Sequence, residues 1–401
     1  MQPELISPQD VLDAAERVRG VVRPTPMTER PALSMLAGRT VLFKPEHTQR
    51  TGSFKIRGAY NHISRLPDGL GVVAASAGNH AKGVALAARM SGRPSMVFMP
   101  LGVSLPKLDA TRAYGAEVRV VGDAIEDAIA AARDHSLATG AAYVPPFDDL
   151  RVIAGQATVG LEMCEEADRF ETVLVPTGGG GLVGGIGAAM AYWASHVRVV
   201  AVQAEGYAGL KAAMAAGEPV VVGGGPCLAD GIAVRAVAPL TLGHAQAFVD
   251  EVVTVTDEEI STAMLLLLER AKWLVEPAGA VGLAAVLAGK VPGTGPLAVV
   301  LSGGNVDPLV LGHLINHGLA VQGRFLAFSV RLPDRPGALA GLTAELAAMG
   351  LNVLEVAHRR TSTRVGLGTV EVAVTVETRD PAHRSDTLAA LAERGFDVAE
   401  A

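Results

Sequence analysis

The stretch TVLVPTGGGGLVGGIGAAMAYWASHV, which runs from Thr172 to Val197, contains no Asp, Glu, Lys or Arg. It is longer than the roughly 20 residues that an apolar helix needs to cross a bilayer. Its first half, however, is interrupted by Pro176 and by four consecutive glycines, Gly178 to Gly181, which form neither a helix middle nor a lipid-facing segment. The stretch therefore predicts a buried strand from Thr172 to Val175, a glycine loop, and a buried helix from Leu182 to about Ala194.

Short apolar runs alternate with helical patterns on both sides of this stretch. Strands that alternate with helices are typical of parallel sheets covered by helices on both faces. The fold class predicted from this pattern is α/β. The apolar runs are Val72 to Ala75, Ser95 to Met99, Glu117 to Val121, Arg198 to Val202 and Leu297 to Leu301.

The composition of the 401 residues limits what kind of protein this is. Apolar residues make up 49% and charged residues 19%, which is typical of a folded chain of two or three domains. The formal net charge is -7 without a basic block, so we expect no nucleic-acid partner. Cys164 and Cys227 fit neither a metal site nor a disulfide framework, and the chain does not open on a secretion signal. We therefore expect a cytoplasmic protein.

A lysine stands at a predicted helix start in the stretch TQRTGSFKIRGA, Thr48 to Ala59. Ser53 is the predicted N-cap residue, which places Lys55 in the first helical turn. The positive potential of a helix start opposes protonation of an amine and so favours an uncharged, nucleophilic lysine of the Schiff-base kind. From this stretch alone, the alternative is a solvated surface lysine.

Three small or glycine-rich loops follow predicted strands. They are Ser76 to His80, Gly178 to Gly181 and Ser302 to Asn305. In parallel α/β sheets, ligands bind beyond the carboxyl ends of the strands, where such loops lead into helices. The four glycines can hold a phosphate with free amides and the helix dipole, although they match neither the Walker A loop nor the dinucleotide turn. Each loop taken alone could also be a tight turn between a strand and a helix.

Taken together, these motifs resemble the threonine dehydratases (threonine ammonia-lyases), pyridoxal-phosphate enzymes of the tryptophan-synthase-β group. The resemblance covers Pro8 to about Gly323. It implies two parallel-sheet α/β domains with the cofactor between them, the smaller one, about 46–144, being inserted in the larger. The motifs that carry it are Ser53 to Ala59, Ser76 to Ala81, Gly178 to Leu182, Val275 to Ala280 and Ser302 to Asn305.

The resemblance implies a role for each matching position. Lys55 would hold pyridoxal 5'-phosphate covalently and act as the catalytic base, with Phe54 beside it. Asn79 would donate a hydrogen bond to the 3′-oxygen of the cofactor, and Ser302 would meet its pyridine nitrogen. The phosphate would lie on Gly178, Gly179, Gly180, Gly181 and Leu182, and the substrate carboxylate on Ser76, Ala77, Gly78, Asn79 and His80.

The reaction implied is the conversion of L-threonine to 2-oxobutanoate and ammonia, the entry to isoleucine synthesis, with L-serine giving pyruvate. The alternatives on the same scaffold are a serine racemase or serine dehydratase and a catabolic threonine deaminase. Racemases of this group carry a second serine as an acid and base at the position of Ala77, whose methyl group has no proton to give. This residue favours elimination. A cofactor-dependent amino-acid sensor without turnover is a further alternative, which the lysine beside a phosphate loop disfavours.

The racemases of this group also have a divalent metal site, which this sequence matches poorly. Glu205 fits one ligand position, but Gly209 and Lys211 occupy the next two, and an ammonium group repels a cation. We therefore expect no specific divalent metal.

The last part of the chain differs from the rest. From Phe325 onward it predicts a strand, a helix, two strands and a helix, close to a βαββαβ unit, after a junction at Val321-Gln322-Gly323. The predicted domains are thus 1–323 and 324–401. This unit resembles the ACT domain, a ferredoxin-like α+β module that binds amino acids.

The resemblance to the ACT domain implies a regulatory site. A branched-chain amino acid would bind at Arg335, Gly337, Ala338 and Asn352. The alternative is an oligomerisation module with an empty site. A pairing module of this kind also suggests a homodimer or homotetramer.

Overall fold

The computed structural model describes residues 4–321, 323–360 and 367–400, and it divides into two compact units, Met1–Asp307 and Pro308–Ala401. The boundary between the units falls before the helix Pro308–Val321, which the sequence had assigned to the first predicted domain, 1–323. The predicted domain boundary at 323/324 stays a prediction, and Gln322 of its junction lies outside the described residues.

The first unit is an α/β structure, in which helices follow strands along most of its length. Its helices are Pro8–Val18 (α1), Pro31–Ala37 (α2), Lys55–Ile63 (α3), Asn79–Met90 (α4), Leu105–Ala113 (α5), Ile125–Thr139 (α6), Leu150–Cys164 (α7), Gly181–Trp193 (α8), Gly209–Ala216 (α9), Pro239–Phe248 (α10), Asp257–Leu266 (α11) and Pro277–Leu287 (α12). Its strands are Thr28–Glu29 (β1), Val41–Lys44 (β2), Val72–Ala75 (β3), Ser95–Met99 (β4), Glu117–Val120 (β5), Ala142–Tyr143 (β6), Thr172–Pro176 (β7), Arg198–Ala204 (β8), Glu251–Val255 (β9) and Leu297–Val300 (β10).

The larger sheet has the strand order β1-β2-β10-β7-β8-β9 and is parallel except for β1. Every residue of β2, β7 and β10 is buried, as expected for parallel strands with both faces covered. Because these three strands are neighbours and run in the same direction, the loops that follow them meet at one edge of the sheet. In the described part of the chain, no helix is both long and apolar enough to span a membrane.

The smaller sheet has the order β5-β4-β3-β6 and is entirely parallel. Its central strand β3 is buried and packs, through Val73 and Ala75, against Ala128 and Ala132 of α6. The loop after β3 leads into α4. The predicted α/β fold class therefore appears as two separate parallel sheets within the first unit.

The second unit begins with the helix Pro308–Val321 (α13), and the remainder is an antiparallel sheet with two helices. The elements are Phe325–Pro333 (β11), Ala338–Ala348 (α14), Val353–Arg359 (β12), Thr369–Glu377 (β13), Pro381–Glu393 (α15) and Asp397–Glu400 (β14). The order of its strands is β12-β13-β11-β14, and alternate residues of β11 (Leu326, Phe328 and Val330) are buried against Leu342 and Leu346 of α14. This is the predicted βαββαβ arrangement, completed by β14.

A buried cluster of charged side chains links helix α3 to the larger sheet. The Arg57 guanidinium, which is fully buried, donates to both carboxylate oxygens of Glu46, at 2.9 and 2.8 Å, and to Glu162 of α7. Lys44 at the end of β2 also donates to Glu162, at 2.6 Å. Burial by itself raises the pKa of Glu46, but the charge and hydrogen bonds of Arg57 outweigh it and hold the pKa below its ordinary value. The pair thus keeps both of its charges inside the protein.

We predict that Arg57→Met destabilises the first unit by about 3–5 kcal/mol, since it leaves Glu46 charged and unpaired in the interior. Urea unfolding of the cofactor-free protein, followed by tryptophan fluorescence, measures this, because Trp193 and Trp273 both lie in that unit. Arg119→Met, which removes an exposed pair with Glu117 at 3.1 Å, is the matched control and should cost less than about 1 kcal/mol.

The effect of Arg57→Met depends on pH. Because the folded pKa of Glu46 is depressed, the ion pair stabilises the fold above about pH 4.3 and this contribution is lost as the pH falls through the lower folded pKa. The difference between wild type and Arg57→Met should therefore shrink in acid. Equal losses for the Arg57 and Arg119 variants at neutral pH would contradict the argument.

Candidate active site

The loops after β2, β10 and β7 lie at the carboxyl edge of the larger sheet, and hydrogen bonds join the first two. Phe54 N donates to Ser302 O at 3.1 Å, and Ser53 forms an isolated antiparallel bridge with Gly303. The prediction that Ser53 caps α3 was wrong. Phe54 occupies the cap position with helical dihedral angles, because the backbone of Ser53 is engaged across the site with Gly303.

Lys55 is the first residue of α3, and its side chain is half-buried. Its Nζ donates to the carbonyl of Pro146 at 2.9 Å and lies 5.2 Å from the centre of the Phe54 ring. Burial lowers the pKa of Lys55 to about 8, against the opposing charge of Glu276. The uncharged amine expected from the sequence is therefore accessible near neutral pH, and the largest cause of the low pKa is desolvation.

The four glycines run into the start of α8, where close contacts leave no room for a side chain. A Cβ atom on Gly179 would overlap the ring of Phe147, and one on Gly181 would lie 2.9 Å from Phe147 Cβ. Gly180 has φ +91°, which favours glycine. No side chain caps the start of α8, so the first amides of the helix, which have no acceptor within it, are available to an anion. Leu182 behind them is buried.

The loop after β3 belongs to the smaller sheet. Ser76 Oγ accepts a hydrogen bond from Gly78 N at 3.1 Å, Ala77 is half-buried, and Asn79 is the first residue of α4. His80 is buried, and its Nε2 donates to the carbonyl of Val144 at 2.9 Å. Burial, followed by the charge of Lys55, lowers the pKa of His80 to about 3, so its ring is neutral at physiological pH.

Several residues without a role predicted from the sequence lie among these loops. Glu276 is buried, accepts from Asn79 Nδ2 at 2.6 Å and from Asn305 N at 3.2 Å, and burial raises its pKa to about 7. Lys82 Nζ donates to Asn305 Oδ1 at 2.9 Å. Glu276 and Asn305 belong to motifs already noted in the sequence. Lys82 follows Asn79 by one helical turn, and this spacing could have identified Lys82 as a neighbour of the site.

The chemistry of the residues in this site suits pyridoxal phosphate. The hydroxyl oxygens of Thr51 and Ser53 are buried and have no hydrogen-bond partner among the described residues. Such orphaned groups, in the loop that leads into Lys55, indicate a polar ligand. Ser302, in the loop after β10, is also buried.

The positions that the sequence compared with a metal site follow β8, the neighbour of β7 in the larger sheet. Glu205 and Lys211 are exposed, and Gly209 begins α9. Within the described ranges, no group of His, Cys, Asp and Glu could hold a metal ion. The expectation of no specific divalent metal stays a prediction.

The predicted regulatory residues belong to the second unit. Gly337, with φ +88°, precedes α14, of which Ala338 is the first residue. Arg335 is exposed in the turn after β11, and Asn352 is exposed before β12, where its Nδ2 donates to Glu377 at 3.4 Å.

Comparison with known proteins places the chain in a family. Residues 18–303 match the family of pyridoxal-phosphate dependent enzymes, and residues 327–396 match the ACT domain. The L-threonine ammonia-lyase of Thermotoga maritima is 42% identical over 398 residues, covering 98% of this chain and 99% of its own.

Solved structures agree. The threonine deaminase of T.th. is 38% identical with a TM-score of 0.72, covering 75% of this chain and 99% of its own. Maize serine racemase is 31% identical with a TM-score of 0.73, covering 80% of this chain and 100% of its own. These matches confirm the predicted fold class, cofactor and ACT domain. The chain belongs to the threonine ammonia-lyases, lyases that use pyridoxal phosphate, and it carries a C-terminal ACT domain.

Proposed function

We propose that this chain converts L-threonine to 2-oxobutanoate and ammonia, and L-serine to pyruvate, with Lys55 as the residue that binds the cofactor and moves the proton. The observation that carries the proposal is the half-buried Lys55 amine, whose pKa is about 8, beside orphaned hydroxyls and next to the loop of Ser302. The names of the relatives support the choice of threonine.

Each part of the site has a proposed role toward the cofactor. Lys55 would bind it covalently, the Gly178–Gly181 loop and Leu182 would hold its phosphate, and Asn79 and Ser302 would contact its ring, beside Phe54. When bound, pyridoxal phosphate withdraws electrons from the α-carbon of an amino acid and so acidifies its proton. A hydroxyl at Ser302, where other enzymes place a carboxylate, does not force a proton onto the ring nitrogen.

Lys55 Nζ is the proposed base. With a pKa of about 8, a fraction of the amine is uncharged near neutral pH and can take the proton from the substrate Cα. The same atom then carries a proton that can be delivered to the departing β-hydroxyl group. The amides of Ser76 to His80, at the start of α4, would hold the substrate carboxylate in place during this transfer.

Ala77 is the residue that argues against racemisation. The similarity to maize serine racemase extends over the whole scaffold, so the fold does not separate the two reactions. A racemase needs an acid on the face of the substrate opposite the base, and the methyl group of Ala77 cannot supply one. We therefore assign this chain to elimination.

The second unit supports a proposal about regulation. The Asp334 to Gly337 turn and the exposed Asn352 would bind a branched-chain amino acid, isoleucine or valine, through backbone amides and the Asn352 amide. Control by these products would suit a biosynthetic role in isoleucine formation in the cytoplasm, and a catabolic role is the alternative. The ACT domain also suggests assembly into a homodimer or homotetramer.

We predict that Lys55→Ala lowers the release of 2-oxo acid from threonine by at least about a thousandfold, because both the attachment point and the base are lost. The covalently bound cofactor band in the absorption spectrum should also disappear. Lys290→Ala, which removes a lysine paired with Glu259 at 2.6 Å, is the control and should retain both. Full turnover in the Lys55 variant would refute the assignment.

Threonine and serine, added separately, test the reaction type. The wild type should release 2-oxo acid and ammonia from both, and chiral chromatography should detect no D-serine formation. Ala77→Ser supplies the missing hydroxyl and should give measurable D-serine, whereas Ala77→Val, which adds bulk without a proton, should not. Racemisation by the wild type would contradict the role given to Ala77.

Isoleucine and valine test the regulatory site in the full chain. We expect either amino acid to change the rate of threonine turnover, and Asn352→Ala to weaken that response by roughly tenfold in effector concentration, since one hydrogen bond to a charged group is lost. Arg379→Ala, an exposed change in the same unit, should leave the response intact. A response that is identical in wild type and Asn352→Ala would show that the site lies elsewhere.

A further inference from the structure

Four side chains of the site form a continuous chain of hydrogen bonds. Lys82 Nζ donates to Asn305 Oδ1 at 2.9 Å, and Asn305 Nδ2 donates to Asn79 Oδ1 at 2.7 Å. Asn79 Nδ2 then donates to Glu276 Oε1 at 2.6 Å. We call these four residues the amide relay. It connects α4 of the smaller sheet with the loop after β10 and with the residue before α12 of the first unit.

Two glycines provide the space that the amide relay occupies. A Cβ atom on Gly52, whose φ is +73°, would lie 2.7 to 3.0 Å from the side-chain amide of Asn305. A Cβ atom on Gly303 would overlap Glu276 Oε1 and lie 3.0 Å from Asn79 Nδ2. The relay is therefore packed against backbone on two sides, which restricts the rotation of both amides.

The Lys82 ammonium group and the carbonyl of Thr51 together set the direction of the bonds in the amide relay. A lysine ammonium group has donors only, so the amide of Asn305 must turn its oxygen toward Lys82. Asn305 then has only N–H groups left, and these go to Asn79 and, at 2.8 Å, to the carbonyl of Thr51. The oxygen of Asn79 is thereby used, and its NH₂ group faces the other way, toward Glu276. An amide has two N–H donors, and Glu276 takes one of them.

We propose that Lys82 is a positioning residue that acts through Asn305 to turn the N–H group of Asn79 toward the 3′-oxygen of the cofactor. The inference rests on the cofactor site proposed above. A reversed Asn79 amide would present its own oxygen to the oxygen of the cofactor, which is repulsive. Lys82 itself touches no reacting atom; together with the carbonyl of Thr51 it fixes which end of the Asn305 amide meets Asn79.

The charges around the amide relay are consistent with this role. Lys82 is half-buried; burial lowers its pKa, Glu276 acts in the opposite sense, and Lys107 adds to the lowering. The titratable groups that face Glu276 are Lys55, Lys82 and Asp230. The Lys82 ammonium group donates and the carbonyl of Thr51 accepts, so one arrangement of the Asn305 amide satisfies both, and the orientation of the Asn79 amide follows from it.

The test compares Lys82→Met, which removes the donor, with Lys82→Gln, which keeps an N–H donor without the charge. Both holoenzymes are titrated for cofactor dissociation and for the pH at which the cofactor absorption band changes. We expect Lys82→Met to weaken cofactor binding roughly tenfold and to raise the midpoint of that pH transition by about one unit. Asn305 Oδ1 is left unpaired and only the carbonyl of Thr51 still orients its amide, so the hydrogen bond from Asn79 to the ionised oxygen is weakened. Lys82→Gln should restore both to within about threefold of the wild type.

Lys107→Met is the control for charge alone. Lys107 lies near Lys82 but is paired with Asp230 at 2.8 Å and is outside the amide relay. Its loss leaves Asp230 unpaired, which raises the pKa of Glu276 further, but every hydrogen bond of the relay remains, so cofactor affinity should stay within about threefold of the wild type. If Lys82→Gln and Lys107→Met both match Lys82→Met, a general positive charge is responsible and the proposal is wrong. An unchanged spectrum and affinity in Lys82→Met would also overturn it.

A second variant keeps the test decisive if Lys82→Met does not fold. Asn305→Asp can still accept from Lys82 but cannot donate to Asn79, so it should reproduce the loss of affinity and the spectral shift. Wild-type binding by this variant would overturn the proposal. Failure of the proposed function would show instead as absent turnover in the wild type or a retained cofactor band in Lys55→Ala, so the two failures are distinct.

Discussion

The buried charge of Arg57 is the constraint on which the site depends. Arg57 is two residues beyond Lys55, and its guanidinium reaches Glu46 and Glu162 with no exposure of its own side chain. A buried cation is tolerated only where its partners are fixed, so the pair sets the position of α3 against β2 and α7. The first turn of that helix, and with it the Lys55 amine, is placed by an interaction that takes no part in the chemistry.

A second constraint is the absence of side chains where backbone must approach closely. Gly179 packs against the ring of Phe147 and Gly181 against its Cβ and backbone, and the glycines at 52 and 303 pack against the amide relay. At each of these positions glycine permits a close contact that a Cβ atom would prevent, although glycine loses more conformational entropy on folding than other residues do. The polar groups of the site are thus held by packing from behind, while the amides at the start of α8 have no capping side chain.

Much of the fold could be predicted because its signals are local. The apolar runs became β3, β7 and β10 nearly at the predicted residues, and the glycine loop with α8 replaced the apparent membrane span. Local reasoning failed at Ser53, whose sequence is that of a helix cap but whose backbone pairs with Gly303. It also traced the low pKa of Lys55 to the helix start, whereas the largest cause is burial, which the local sequence does not show.

The sequence by itself determined the classes of element, the lysine, the glycine loop and the resemblance that implies pyridoxal phosphate. These depend on neighbouring residues and on periodicity, which a single chain displays directly. Only the tertiary structure brought Lys82, Asn305, Asn79 and Glu276 into one hydrogen-bonded series. Their order along the chain carries no such information, because loops from two sheets meet only when both sheets have folded. Burial, and therefore every shifted pKa in the site, is likewise a property of the assembled interior.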